Sequence, residues 1–264
     1  MADLVAGAPA VPDTGQRSSQ QAPPGSRLSL ADLFTLGNAT CGFLAICSIA
    51  ALLHEPGGEL ASNAGRPSTA ILLLLLGAAF DLIDGKVARR RGGSAMGAHL
   101  DNLADAISFG LAPAFLVGAW ASRNATNPAE RSLAIGAATV CLLAVVVRLA
   151  RFAVMPSQCG VFMGLPCPMG ALTVVSIVLL DPPVVPAALA IMVVALLMVS
   201  RITYPKPHGP SAILVLLWIA LNVSCLGAYA VRLPGADGLV QTCASVQIVL
   251  TLVIPLGLRR IGRD

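Results

Sequence analysis

Long apolar stretches are the feature that most restricts what this chain can fold into. Eight of them follow one another, separated by short segments that contain proline, glycine or charged residues. About 20 apolar residues in a row allow a helix to cross the hydrocarbon core of a bilayer, where a helix satisfies its own backbone hydrogen bonds. We therefore predict an all-α integral membrane fold, a polytopic bundle of about eight transmembrane helices. The predicted spans are Leu33–Leu53, Thr69–Val87, Gly97–Trp120, Leu133–Phe152, Gly164–Leu180, Val184–Val199, Ala212–Val231 and Leu239–Leu258.

The composition excludes a soluble fold for most of the chain but not for its beginning. Only 11% of the residues are charged and 56% are hydrophobic, whereas a soluble domain has about 25% charged residues. Residues 1–28 are different, because they are rich in Ala, Pro, Gly, Ser and Gln and contain no apolar stretch. We predict a disordered cytoplasmic tail over residues 1–28 and one transmembrane domain over residues 29–264.

The distribution of basic residues predicts the orientation in the membrane. When the chain is threaded through eight spans, all but four of its 17 Lys and Arg residues fall on the side of the N-terminal tail. Basic residues are enriched in cytoplasmic loops. We therefore predict that both termini and the loops after the second, fourth and sixth spans are cytoplasmic, with the protein in the plasma membrane. The four exceptions are Arg66, Arg123, Arg131 and Arg232.

Other residue types argue against two kinds of site. The seven cysteines are scattered and include no CxxC pair, so neither a disulfide framework nor a cysteine-based zinc site is expected. The basic clusters border the spans and lack interleaved aromatic residues, so we predict no nucleic-acid partner. Trp120 lies at the end of a span and is predicted to anchor it in the membrane interface.

Four aspartates lie where the second and third spans approach the cytoplasmic side. Asp81 and Asp84 are three residues apart and share one helix face, and Asp101 and Asp105 are four apart and share another. Acids at the end of a membrane helix are costly and usually mark function. Four converging carboxylates would repel one another without cations, and oxygen ligands favour magnesium, calcium or manganese over zinc. Two such ions side by side can clamp a phosphoryl group during in-line displacement.

The residues between these aspartates suit the same interpretation. Gly85, Ala88 and Gly97 remove side-chain bulk beside the acids, and Arg89 can present its guanidinium fork to phosphate oxygens. The structural alternative is two capped helix ends with solvated acids. A cation transporter is a second alternative, although it would need acids near the midplane of the bilayer. A non-catalytic membrane scaffold is the third.

The complete pattern resembles the signature of the CDP-alcohol phosphotransferases. In this chain it reads Asp81-x2-Asp84-Gly85-x2-Ala88-Arg89-x7-Gly97-x3-Asp101-x3-Asp105. The resemblance implies a helical membrane enzyme with two divalent ions, Mg²⁺ or Mn²⁺, at the cytoplasmic membrane surface. A CDP-linked lipid would bind there, an alcohol would attack its lipid-side phosphorus, and CMP would leave.

The same resemblance assigns roles by motif position. Asp81 and Asp101 would bridge both ions, Asp84 would complete one site, and Asp105 would bind the second ion and act as the general base. Gly85, Arg89 and Ser94 would contact the CDP-lipid, and Asn38 is a further candidate contact that could equally serve helix packing. Arg148 and Arg151 lie three residues apart at a cytoplasmic helix end, where they could bind an acceptor anion or simply anchor the helix.

Five further segments resemble the membrane-type phosphatidylserine synthases. This narrower resemblance implies CDP-diacylglycerol and L-serine as substrates, phosphatidylserine and CMP as products, and a homodimer embedded in membrane lipid. Glycerol 3-phosphate and inositol 1-phosphate remain alternative acceptors, and an ether lipid remains an alternative donor. The relatives usually have Pro-Asn where Ala31-Asp32 stands here. The segments are Asp32–Asn38, Asp101–Pro113, Arg148–Phe152, Gly164–Pro168 and Val199–Pro205.

Overall fold

The computed structural model describes residues 28–54, 67–91, 93–94, 96–154, 161–205 and 210–261. Almost all of these residues are helical, which confirms the predicted all-α fold class. The predicted tail, residues 1–28, lies outside the described residues except for its last position. Its disorder therefore stays a prediction.

Eight long helices follow one another in the described part of the chain, as the sequence predicts. Several predicted boundaries are close to the observed ones, and the sixth span, Val184–Val199, coincides with its helix. The helices are α1 Leu30–His54, α2 Ser68–Arg91, α3 Gly97–Asn124, α4 Pro128–Val154, α5 Cys167–Leu179, α6 Val184–Val199, α7 Pro210–Ala230 and α8 Ala236–Ile261.

The helices differ in their suitability as membrane spans. Among the described residues, α1, α3 and α4 are long and apolar enough to cross a bilayer, while α5 and α6 are apolar but shorter. With 13 and 16 residues, α5 and α6 fall below the roughly 20 that a straight span needs. The described part of the chain therefore contains helices that are able to span a membrane. The number of spans and the side of the termini stay predictions.

Helix α3 changes its winding in the middle. It is α-helical over Gly97–Asp105, π-helical over Ala106–Leu111 and α-helical again over Ala112–Asn124. A π turn holds one more residue than an α turn and often occurs at functional sites. Here it begins at the residue that follows Asp105.

Glycines allow α1 to approach its neighbours closely. A Cβ atom on Gly42 would lie 2.9 Å from the backbone Cα of Ser108 in the π turn, a separation that real Cβ atoms do not reach. Gly37 faces the ring of Phe80 in α2, and Gly77 of α2 faces the side chain of Asn38. Small residues permit this kind of packing between membrane helices. The result is a tight α1–α2–α3 unit.

A two-stranded ribbon lies outside the predicted all-α architecture. Strand β1, Val161–Met163, pairs antiparallel with strand β2, Thr203–Pro205. Gly164 follows β1 with a φ of +72°, and its N–H donates to the carbonyl of Ile202 at 2.9 Å. The ribbon joins the segment after α4 to the segment after α6, and both segments lie on the predicted cytoplasmic side.

At the opposite end of the bundle, Trp120 is packed inside the protein. Its side chain is 4% exposed, and its Nε1 donates to Asp181 Oδ1 at 2.6 Å. Asn124 donates to the same oxygen at 2.6 Å. The predicted interfacial anchor is therefore wrong, because Trp120 ties α3 to the α5–α6 connection instead of facing the lipid headgroups.

We expect Gly42→Ala to lower the Tm of the purified protein by roughly 5 °C, because the added methyl group forces α1 away from the π turn. Gly118→Ala is the matched control, since a Cβ there meets nothing within 4 Å and alanine favours a helix over glycine. Thermal unfolding in detergent measures both. Equal Tm values for the two variants would contradict the close α1–α3 contact.

Candidate active site

Three of the four predicted aspartates meet between α2 and α3. Asp81, Asp84 and Asp101 each offer a carboxylate oxygen, and the three oxygens lie within 4.8 Å of one another. Asp84 is 6% exposed, while Asp81 and Asp101 are half-buried. The neighbours that act electrostatically on Asp81 are the carboxylates of Asp101 and Asp84. The sequence prediction that these acids converge is confirmed.

The arrangement fits a divalent cation. At 4.8 Å, two carboxylates repel each other by about 3 kcal/mol if the effective dielectric constant is about 20. Asp101 Oδ1 is buried and has no hydrogen-bond partner among the described residues, and such an oxygen normally requires one. A bound cation would relieve both costs. The donors are all carboxylate oxygens, the set that Mg²⁺ and Mn²⁺ prefer.

Asp105 lies one helical turn deeper along α3, beside the cluster. It is not part of the three-oxygen group, but it is close enough to the other three carboxylates to be repelled by them. Asn38 Nδ2 of α1 donates to Asp105 Oδ1 at 3.2 Å. This hydrogen bond fixes one carboxylate oxygen and leaves the other available for a different partner.

Helix α1 supplies hydrogen-bond donors to the acids of both neighbouring helices. Thr35 Oγ1 donates to Asp84 Oδ2 at 2.7 Å, as Asn38 does to Asp105. Ser108 in the π turn donates to the carbonyl of Asn38 at 2.8 Å. Partners of this kind orient metal ligands and are often as important as the ligands themselves. The sequence indicated Asn38 as a candidate contact, but it did not pair Asn38 or Thr35 with particular aspartates.

Asn38 is fully buried, at 0% exposure. Its Oδ1 has no hydrogen-bond partner among the described residues, and a Cβ on Gly77 would lie 2.9 Å from it. The predicted contact between Asn38 and the CDP-lipid stays a prediction. The structure shows this side chain holding Asp105.

A fifth aspartate, Asp32, lies beside the predicted lipid-binding residue Ser94. Asp32 Oδ2 accepts from the N–H of Ser29 at 2.7 Å, and Ser29 Oγ accepts from the N–H of Asp32 at 3.2 Å. This reciprocal pair is a capping box at the start of α1. The Ser94 hydroxyl is near Asp32, but Ser94 Oγ and Asp32 Oδ1 have no hydrogen-bond partner among the described residues. A Cβ on Gly97 would lie 3.1 Å from Asp32 Oδ1. The Ser-x-x-Asp spacing was the sequence signal for this cap.

Gly85 and Arg89 lie on the last two turns of α2. A Cβ on Gly85 would be 3.5 Å from Arg89 Nη1, so the arginine side chain folds back along the space that the glycine leaves open. Arg89 therefore lies near Gly85, on the last turns of α2. Their contact with a phosphate stays a prediction.

The two arginines at the end of α4 have different environments. Arg148 is 8% exposed, donates through Nη1 to Cys167 Sγ at 3.2 Å and lies 4.6 Å from the centre of the Phe152 ring. Its Nε has no partner among the described residues. Cys167 is in turn within electrostatic reach of Asp105 and Asp81.

Arg151, in contrast, supports the fold. Its Nη1 donates to the carbonyl of Val199 at 3.0 Å, which joins the end of α4 to the end of α6. Neither the acceptor role nor the anchoring role of the two arginines is decided by these contacts, so both stay predictions.

The model of the CDP-alcohol phosphatidyltransferase family matches residues 28–232. This chain belongs to that family. The matched range contains α1 to α7 and all four aspartates of the predicted motif, and it ends before α8.

Three relatives illustrate the similarity. The archaetidylserine synthase of Methanothermobacter thermautotrophicus is 34% identical over 191 residues, 71% of this chain and 74% of that protein. The CDP-diacylglycerol–serine O-phosphatidyltransferase of Methanocaldococcus jannaschii is 41% identical over 136 residues, 51% of this chain and 62% of that protein. The Bacillus subtilis protein of the same name is 31% identical over 180 residues, 67% of this chain and 91% of that protein.

We expect Thr35→Val to weaken Mn²⁺ binding by about tenfold or more, because Asp84 loses the hydrogen bond that orients it. Thr139→Val is the matched control, since the Thr139 hydroxyl bonds only to its own helix, at the carbonyl of Ile135. Titration of the purified proteins with Mn²⁺, followed by electron paramagnetic resonance, gives the affinities. An unchanged Mn²⁺ affinity in Thr35→Val would show that Thr35 does not support metal binding.

Proposed function

We propose that this protein transfers a phosphatidyl group from CDP-diacylglycerol to the hydroxyl of L-serine, giving phosphatidylserine and CMP. The observation that carries the proposal is the convergence of Asp81, Asp84 and Asp101 within 4.8 Å in a chain of this family. The choice of serine is supported by the relatives, whose names specify serine transfer or archaetidylserine synthesis.

In this proposal the four aspartates hold two divalent ions, Mg²⁺ or Mn²⁺. Asp81 and Asp101 would contribute to both sites, Asp84 would complete one, and Asp105 would contribute to the other. The unpartnered Oδ1 of Asp101 supports its part in this set. When bound, the ions neutralise the pyrophosphate and stabilise the charge that develops during phosphoryl transfer.

The donor lipid lies against α2 and the start of α3. Gly85 provides space for the pyrophosphate, and Arg89 offers its guanidinium group to the phosphate oxygens. Ser94, held near Asp32, faces the nucleotide end. Asn38 acts on this site through Asp105, and we keep its direct lipid contact as a secondary assignment.

Asp105 accepts the proton of the serine hydroxyl as the oxygen attacks the lipid-side phosphorus. The bond from that phosphorus to the bridging oxygen of CMP breaks, and CMP departs with the electron pair. Asn38 holds Asp105 Oδ1, so Oδ2 is the oxygen that takes the proton. A base within hydrogen-bond reach of the hydroxyl typically contributes a factor of about 10² to 10⁴ in rate.

Arg148 binds the carboxylate of serine in this arrangement. Its guanidinium group is buried, its Nε lacks a partner among the described residues, and a carboxylate can accept two hydrogen bonds from it. Cys167 contacts Arg148 and is within electrostatic reach of Asp105, which supports an acceptor that contacts both Arg148 and Asp105. The assignment of Arg151 to the acceptor rests on its spacing from Arg148, because its observed partner is the Val199 carbonyl.

The alternative functions differ from the proposed one in the acceptor, in the donor lipid or in the class of protein. A phosphate on glycerol 3-phosphate or inositol 1-phosphate could also bind Arg148. The archaetidylserine relative keeps an ether lipid open as the donor. A cation transporter is disfavoured, because the described acids of the cluster gather at one end of α2 and α3 and not at the middle of the bundle.

We also propose that the protein resides in the plasma membrane as a homodimer, with both termini and the site facing the cytoplasm. The orientation is supported by the uneven distribution of the 17 Lys and Arg residues. The dimer is supported by the family resemblance.

An acceptor panel tests the reaction. Purified protein with CDP-diacylglycerol and Mn²⁺ should release CMP with L-serine but not with glycerol 3-phosphate or inositol 1-phosphate. Asp105→Asn should lower CMP release by about 10² or more with an unchanged Tm. Metal-dependent CMP release with another alcohol and none with serine would overturn the acceptor assignment. If no acceptor gave metal-dependent CMP release, the proposal that the protein is a phosphotransferase would be wrong.

We expect Arg148→Lys to raise the KM for serine by about tenfold while leaving the KM for CDP-diacylglycerol unchanged, because lysine cannot offer a bidentate pair. Arg201→Lys is the control, since Arg201 is exposed and follows α6 on the same side of the bundle. Steady-state CMP release with each substrate varied gives both constants. If only the KM for CDP-diacylglycerol rose, Arg148 would be assigned to the donor site instead of the acceptor site.

A further inference from the structure

Two cysteines on the last two helices lie in near-covalent contact. Cys225 of α7 and Cys243 of α8 have their Sγ atoms 2.8 Å apart, compared with a covalent S–S bond of about 2.0 Å. Both are thiols in this structure. Their separation in the sequence and the absence of a CxxC motif gave no indication of this pairing.

The geometry of the α7–α8 hairpin explains why the two sulfur atoms meet. Helix α7 ends at Ala230 and α8 begins at Ala236, and the connection turns through positive φ angles at Arg232 and Gly235. Cys225 lies roughly 8 Å before the end of α7, and Cys243 lies roughly 10 Å after the start of α8. The two positions are therefore at nearly the same height in an antiparallel pair.

Independent contacts hold α8 in this register. Cys243, Gln247 and Thr251 are spaced four residues apart, so they form one stripe on α8. Gln247 Oε1 accepts from Trp218 Nε1 of α7 at 2.8 Å. Thr251 Oγ1 lies 3.1 Å from Thr173 Oγ1 of α5. These buried polar contacts fix the rotation of α8, and the same rotation directs Cys243 at Cys225.

The pair is also accessible to an oxidant. Cys225 is 6% exposed, whereas Cys243 is partly exposed, so Cys243 is the sulfur that a reagent reaches first. In the proposed orientation the α7–α8 turn faces away from the cytoplasm, the side on which disulfides persist. The family match ends at residue 232, so the pair would join α8 to the part of the chain that the family shares.

We propose that Cys225 and Cys243 form a disulfide bond that fastens α8 to α7. The Cys243 thiolate attacks a disulfide of a thiol–disulfide oxidoreductase outside the cytoplasm, and one thiol of that oxidant leaves. Cys225 then attacks Cys243 Sγ in the mixed disulfide and displaces the oxidant. The two cysteine thiols lose two protons and two electrons in total, and the oxidant disulfide is reduced to two thiols.

Thiol labelling tests the bond directly. Full-length protein from membranes is quenched in acid, denatured and treated with N-ethylmaleimide before and after reduction, and its peptides are analysed by mass spectrometry. We expect a linked Cys225–Cys243 peptide pair two hydrogen masses lighter than its parts, with both residues labelled only after reduction. Cys47, which is exposed, should be labelled in both treatments. Labelling of Cys225 and Cys243 without reduction would overturn the proposal.

The effect on stability gives a second measurement. A phosphine reductant should lower the Tm of the wild-type protein by roughly 5 °C, because the bond closes a short loop. It should not change the Tm of the Cys225→Ala/Cys243→Ala double variant, while Cys47→Ala should respond like the wild type. An equal fall in the double variant would overturn the proposal. CMP release is not needed for either measurement, so failure of the serine transferase assignment would leave the outcome readable.

Discussion

Repulsion among carboxylates is the interaction on which the rest of the site depends. Asp81, Asp84 and Asp101 are held within 4.8 Å of one another at the end of a membrane bundle, where water cannot fully screen them. The arrangement depends on a rigid surround, and a bound cation would stabilise it further. Part of that surround is α1, which packs along α2 and donates hydrogen bonds to both acidic helices.

The rigidity of α1 comes from small residues and a few polar contacts. Gly42 lets α1 touch the π turn, Ser108 then reaches the Asn38 carbonyl, and Asn38 reaches Asp105. These contacts link the packing of α1 against α3 to the position of one oxygen, Asp105 Oδ1. Buried polar groups in this setting are costly unless they are paired, so each link also constrains the next. Packing and chemistry are therefore not separable in this part of the molecule.

The sequence was sufficient where one strong physical effect dominates. Apolar length predicts the helices, and the spacing of the aspartates predicts their convergence. It was insufficient where an outcome depends on contacts between distant segments. The π turn, the β1–β2 ribbon, the burial of Trp120 against Asp181 and the pairing of Thr35 with Asp84 all depend on tertiary neighbours. Arg148 shows the same limit, since its spacing from Arg151 suggested one shared role and their surroundings differ.

The π turn in α3 has a consequence for how the helix divides its tasks. One additional residue shifts the angular phase of an α-helix by about 100°, so the segment before the turn and the segment after it present independently chosen faces. The first segment packs mainly on α1 and carries the acids, while the last segment packs mainly on α4. Changes in the outer packing can then accumulate without rotating Asp101 and Asp105 out of alignment. The two α-helical segments of α3 can therefore change their packing faces independently of each other.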